Sequence, residues 1–235
     1  MITSRVLGVL TTSVLCLLLI VGTAAAVPTL DFAINAFNPG SISYAVSGGP
    51  LVGSNITIGS VVGGLGTADT ATPWNNGVAA VCSGCLLTFT TGNFTGSSAT
   101  QWFFGSGGTI ELVGGVPSAG AGPTLFTGVW TNASVTQIGG SFKIDGGIFS
   151  SSTDANLASF FGLSGGPGWS GALNLSFLAP GAPGETFTSS ALGSGDAMVS
   201  TSVPEPATLL LMGSGLVVIG VVGRRRARPG HDLSE

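Results

Sequence analysis

Positive charge is almost missing from most of this chain. Between residues 27 and 203 the only basic residue is Lys143, set against Asp31, Asp69, Glu111, Asp145, Asp154, Glu185 and Asp196. The one histidine of the chain, His231, lies near its carboxyl end. These scarcities exclude several functions. A nucleic-acid binder needs a basic patch to neutralise phosphates, so no nucleic acid is expected as a partner. Without histidine the middle of the chain has no Ser-His-Asp or Cys-His machinery. It also has no imidazole to hold zinc or iron, and no metal or cofactor is expected. Gly-rich stretches such as "SVVGGLGTAD" lack the lysine and the strand-to-helix setting of a phosphate loop.

Charged residues are only 7% of the sequence, far below the ~25% of an ordinary soluble domain. Cysteine is scarce too: Cys16, Cys82 and Cys85. What the chain does have is glycine, 40 of 235 residues, and 44% apolar residues. A core can therefore be buried, and the length suits one domain. The low charge argues against a disordered tail.

The amino end, "MITSRVLGVLTTSVLCLLLIVGTAAAVPTL", has a short basic region at Arg5 and an apolar run from Val6 to Val21. Ala24 and Ala26 frame an A-x-A cleavage site, with Val27 as the first mature residue. This is the pattern of a secretory signal peptide over residues 1–26, read by the Sec export machinery. Cys16 leaves with it.

The carboxyl end, "VPEPATLLLMGSGLVVIGVVGRRRARPG", has three parts in order. Val203, Pro204, Glu205 and Pro206 come first. Ala207 to Gly223 follows without a charge, long enough at ~1.5 Å per residue to cross a thin bilayer. Arg224, Arg225, Arg226 and Arg228 close it, and the positive-inside rule puts them and the tail, 229–235, in the cytoplasm. The prolines hold the motif in extended backbone just outside the membrane, where a membrane-embedded peptidase can reach it. The expected arrangement is an exported domain, residues 27–202, held at the inner membrane by a carboxyl-terminal helix. An ordinary single-pass anchor would show the helix and arginines as well.

Residues Val203 to Arg228 resemble the PEP-CTERM sorting signal. The resemblance implies recognition by an exosortase, an integral-membrane cysteine protease-transpeptidase. It further implies a protein of the cell surface or the biofilm matrix, associated with exopolysaccharide. On that reading the helix anchors the chain transiently. The tail "ARPGHDLSE" is longer than the pattern requires.

Short alternation fills the exported domain. Ile42, Tyr44 and Val46 alternate with small residues; Ile56 and Ile58, Leu87 and Phe89, and Ile110 and Leu112 do the same. Phe142 and Ile144 flank Lys143, and Leu173, Leu175 and Phe177 face away from Asn174 and Ser176. Period two between Gly, Pro, Asn and Ser clusters predicts eight to ten half-buried antiparallel strands. The expected fold is all-β, a sandwich or jelly-roll-like body, with a β-solenoid as the alternative. Such a low-charge body risks pairing through exposed edges. One segment breaks the period: Leu157, Phe160 and Phe161 predict a short helix over 154–161, capped by Ser152 or Thr153 and ended by Gly162.

Candidates for chemistry are few. Glu111 and Glu185 are the only glutamates of the domain, and a glycosidase needs a carboxylate pair. Glu111 sits mid-strand opposite Ile110 and Leu112, where a solvent-facing carboxylate needs no function. Cys82 and Cys85, in "CSGC", form a small disulfide on the first reading, with free thiols second. A redox pair wants a helix amino terminus to lower its thiol pKa, and here a strand pattern follows. Calcium through Asp145 or Asp154 finds no EF-hand or nonapeptide spacing. Trp102 and Trp130 lie in strand patterns and belong to the core. Trp74 and Trp169 lie in turn-like settings and are candidates for stacking on sugar rings, against burial under a loop. The expected protein is thus a non-catalytic surface or matrix protein, with a carbohydrate-binding module as the alternative and a secreted glycosidase as a weaker one.

Overall fold

A strand whose inward side chains are branched or aromatic, and whose outward ones are Ser, Thr or Gly, packs on one face only. That rule orders the whole domain. The computed structural model describes residues 29–35, 39–64, 77–163 and 165–201. Eleven strands carry it: β1 Thr29–Ile34, β2 Ser41–Tyr44, β3 Pro50–Gly64, β4 Ala79–Ser97, β5 Gln101–Phe104 and β6 Thr109–Gly115. Then come β7 Thr124–Ile138, β8 Ser141–Thr153, β9 Gly166–Leu178, β10 Phe187–Thr188 and β11 Ala191–Thr201. A 3-10 turn spans Pro117–Ala119, and helix α1 spans Ala155–Phe160. The all-β antiparallel expectation with one short helix holds; every ladder among the described residues is antiparallel.

The ladders return to their starting point. β3 pairs β1, β1 pairs β11, β11 pairs β9, β9 pairs β8, and β8 pairs β7. β7 pairs β6, β6 pairs β4, and β4 pairs β3 again. β5 takes up the far ends of β4 and β7, and β2 the far end of β3, with β10 beyond it. Closure satisfies strand edges internally, so edge-to-edge pairing has little to seize among the described residues beyond short strands such as β10.

The inward rows meet in register. Ile110 and Leu112 of β6 face Phe89 and Leu87 of β4, and Phe142 and Ile144 of β8 face Phe177 and Leu175 of β9. All are buried. Two aromatic groups dominate the core. Tyr44, Trp102, Phe104, Phe142, Phe177 and Phe187 form one, with ring centroids 5.3–6.2 Å apart. Phe32, Phe89, Phe126, Trp130 and Phe149 form the other, at 5.2–5.8 Å. Trp102 and Trp130 are core residues as expected. Each indole N–H finds a carbonyl, that of Glu185 at 3.1 Å and that of Thr109 at 3.3 Å, as a buried polar edge requires.

Two local expectations need correcting. β2 ends at Tyr44, and Val46 is exposed, because the chain turns there: Gly49 N–H donates to the Val46 carbonyl at 2.8 Å, and Gly48 N–H to the Tyr44 hydroxyl at 2.7 Å. Helix α1 is capped by Asp154, whose side chain accepts from Leu157 N–H at 2.8 Å, rather than by Ser152 or Thr153. Those two residues are still in β8, where their backbones pair with β7 and β9. Gly162, with φ at +74°, ends the helix as expected.

Candidate functional site

The outer face of the sheet is built from the residues that alternation turns away from the core. Across β6, β7, β8 and β9 one row runs Glu111, Thr127, Ser152, Pro167, and the next runs Thr109, Val129, Ser150, Ser170. Between these rows lies a groove of about 570 Å3, lined by Thr109, Glu111, Thr127, Val129, Ser150 and Ser152 among others. Its hydroxyls both donate and accept, while the Glu111 carboxylate oxygens are acceptors. The groove holds one carboxylate and no basic group among the described residues that line it.

Glu185 does not line this groove. It sits in the turn before β10, where its carboxylate accepts from Ala182 N–H at 3.1 Å and its carbonyl accepts from Trp102. Both roles fix the turn. The candidate acid pair is therefore not gathered into one groove. Asp154 is committed to the helix cap, and the Asp145 carbonyl accepts from the Ser134 hydroxyl. No group of three or more His, Cys, Asp or Glu suited to a metal ion occurs among the described residues.

Sequence reading passed over one acidic neighbour pair, Asp31 on β1 and Asp196 on β11. Asp196 faces Ala33 across the ladder, one pleat from the Asp31–Met198 pair. Partial burial raises the Asp31 pKa above the ordinary carboxylate value, and the negative charge of Asp196 raises it further. One Asp31 oxygen, Oδ1, is buried without a hydrogen-bond partner. No local motif announces this pair, because it exists only through the pairing of the first strand with the last.

Cys82 and Cys85 are joined, with Cα atoms 5.6 Å apart. The bridge spans a bulge in β4, where the register with β6 shifts between Ser83 and Leu86. Gly84, at φ +62°, takes the left-handed turn that this short loop needs. Trp169 corrects an expectation. It lies in β9, not in a turn, and is 4% exposed, so its ring face is not offered to a sugar. Trp74 lies outside the described residues, as do Ala24, Ala26 and Val27 at the expected signal cleavage and the entire carboxyl segment from residue 202. Among the described residues no helix is long and apolar enough to cross a membrane.

Residues 202–226 match the family model of the PEP-CTERM protein-sorting motif. The carboxyl segment is a PEP-CTERM sorting motif. The match takes in Val203, Pro204, Glu205 and Pro206, the apolar run, and Arg224, Arg225 and Arg226. The PEP-CTERM motif marks an exported protein recognised by an exosortase-type membrane peptidase. No curated protein and no solved structure matches the chain.

Proposed function

We infer that this is a non-catalytic protein of the cell surface or extracellular matrix, sorted by an exosortase-type peptidase and associated with exopolysaccharide in a biofilm. The match at residues 202–226 is the observation that carries this reading. The body supports it by its chemistry: one basic residue, no histidine, and a single carboxylate in the groove between β6 and β9. In this reading the signal peptide opens the export route, and the carboxyl helix holds the chain at the inner membrane until the peptidase acts. Intact-mass and terminal-peptide mass spectrometry on protein from its native cells tests it. The expected mature form begins at Val27 and ends near Pro204 to Pro206, with added mass if the new end is transferred to a carrier. Retention of the arginine tail at steady state would sink the sorting reading and leave a membrane-tethered domain.

A second reading, carbohydrate binding, is favoured by the hydroxyl-lined groove rather than by the tryptophans. A neutral glycan offers the same alternating donors and acceptors that Thr109, Thr127, Ser150 and Ser152 present. Glu111 supplies an acceptor for paired sugar hydroxyls. Pull-down of the mature protein on the producer's exopolysaccharide, repeated with Glu111→Ala and Thr127→Val, tests it. Retention that neither substitution weakens removes the groove from this role. A glycosidase reading has less support, since Glu111 and Glu185 do not share the groove that would need both.

A further inference from the structure

Ile110 and Leu112 are buried in the core, so the alternation of β6 turns Glu111 to the outer face and into the groove. There it stands between Thr88 of β4 and Thr127 of β7. Its carboxylate makes no hydrogen bond or ion pair among the described residues. Those of Glu185 and Asp154, by contrast, are taken up by the N–H groups of Ala182 and Leu157. No nearby cation competes for Glu111. Lys143, the one basic residue between 27 and 203, precedes Ser150 on β8 by seven residues. At the rise of a strand that is roughly 20 Å. Charge is largely screened beyond ~8 Å at physiological salt.

The hydroxyls alone suit any neutral glycan. A carboxylate among them, in a domain with seven acids and one base, adds a choice by charge. It repels a uronic acid or a sulfated sugar and attracts a basic one. An ammonium in place of one sugar hydroxyl still donates, and gains a charge-assisted bond to the carboxylate. The hydroxyls of Thr109, Thr127, Ser150 and Ser152 remain for the other polar groups of the chain. A basic peptide offers the charge but not the ring hydroxyls that these four residues would meet. From β6 to β9 the groove crosses four strands, about 14 Å at ~4.8 Å per step, which is room for about three sugar rings.

We propose that the groove beside Glu111 binds a glycan of basic amino sugars, about three rings at a time, with Glu111 taking the ammonium of one ring. This deepens the carbohydrate-binding reading above and rests on it.

Ligand-observed NMR titration of the full chain in detergent tests this with three β-1,4-linked trimers: glucosamine, glucose and a uronic acid. The series changes one substituent from ammonium to hydroxyl to carboxylate. The glucosamine trimer is expected to bind about fivefold tighter than the glucose trimer, the upper range for a partly exposed ion pair. The uronate trimer is expected to bind weakest. The preference should vanish at about 0.5 M salt. It should also vanish in Glu111→Gln, which keeps its affinity for the glucose trimer. Glu111→Lys should turn the preference toward the uronate trimer, a gain that loss of fold cannot mimic. If the wild type holds glucose and glucosamine trimers equally and Thr127→Val weakens both, the amine preference is overturned and the carbohydrate reading stands. If no trimer binds, the carbohydrate reading fails and takes this proposal with it. A preference that survives in Glu111→Gln overturns the role of Glu111. Trilysine binding as tightly as the glucosamine trimer overturns the glycan assignment in favour of a basic peptide. Should neither Glu111 variant fold, the wild-type preference and its salt dependence decide.

Discussion

Phe149 on β8 covers Gly171, its partner across the β8–β9 ladder, so closely that a Cβ at 171 would lie 2.2 Å from the ring. The same arrangement recurs where Phe89 of β4 faces Gly53 of β3, with the would-be Cβ at 2.1 Å. Inward glycines thus provide the room that large rings on neighbouring strands fill, which explains part of the glycine content. Gly171→Ala is expected to destabilise the domain by about 1–3 kcal/mol through overpacking. Thermal unfolding reads this as a fall of roughly 2–4 °C per kcal/mol for a domain of this size. In a Phe149→Leu background the penalty should shrink, because the smaller side chain yields space. Equal penalties in both backgrounds would mean that the ring is not what the methyl meets.

Local period was readable without the structure; register was not. Lys143 between Phe142 and Ile144 declares its face from three residues alone. The motif at 202–226 is equally linear, which is why the three-part pattern of Pro-Glu-Pro, apolar run and arginines was visible. The groove beside Glu111 is different. It depends on Thr127, Ser152 and Pro167 arriving opposite one another from three strands, and strand order carries that information. Trp169 misled for a local reason: "GGPGW" has the composition of a turn, yet Gly166 and Pro167 begin a long strand. Its ring is buried by tertiary packing that overrides the preference of its neighbours.

Adjacent residues at the end of β8 should respond in opposite directions. Asp154 caps α1, and Asp154→Ala removes the acceptor for Leu157 N–H, a loss of about 0.5–2 kcal/mol. Thr153 is buried with its hydroxyl unpartnered. Thr153→Val keeps the shape and removes an unsatisfied polar atom, so it should be neutral or stabilising by up to about 1 kcal/mol. Chemical denaturation of the two variants checks the contrast. A destabilised Thr153→Val would show that the hydroxyl has a partner in solution.

The Cys82–Cys85 bridge closes a very short loop, so its effect on the unfolded chain is limited. The chain-entropy relation gives about 2 kcal/mol for a loop of this length. Reduction should therefore lower the melting temperature by roughly 4–8 °C without abolishing the fold. Both cysteines are buried, so reductant should act slowly until β4 opens locally. Differential scanning calorimetry with and without reductant measures the shift. Complete unfolding on reduction would assign the bridge a larger share of the stability than its loop length allows.

Asp31 should make the domain less stable as pH rises through the acid range. Its folded pKa is raised, first by burial and then by Asp196, so the native state holds the proton more tightly than the unfolded chain does. Between the ordinary carboxylate pKa and the raised folded value, the native state binds more protons. Stability then falls with increasing pH, and above the folded value the full penalty of ionising Asp31 is in place. Asp31→Asn removes the charge and with it this slope. At neutral pH the variant should melt about 1–2 °C higher than wild type, a modest gain because the half-buried site is screened by solvent. Below the ordinary carboxylate range the two should converge, since Asp31 is then neutral in both states. Asp196→Asn should recover only the smaller part, the repulsion between the two charges. Melting curves of the three proteins from pH 3 to pH 7 separate these contributions. A gap between Asp31→Asn and wild type that is constant across the range would mean that shape rather than charge sets the cost at this position.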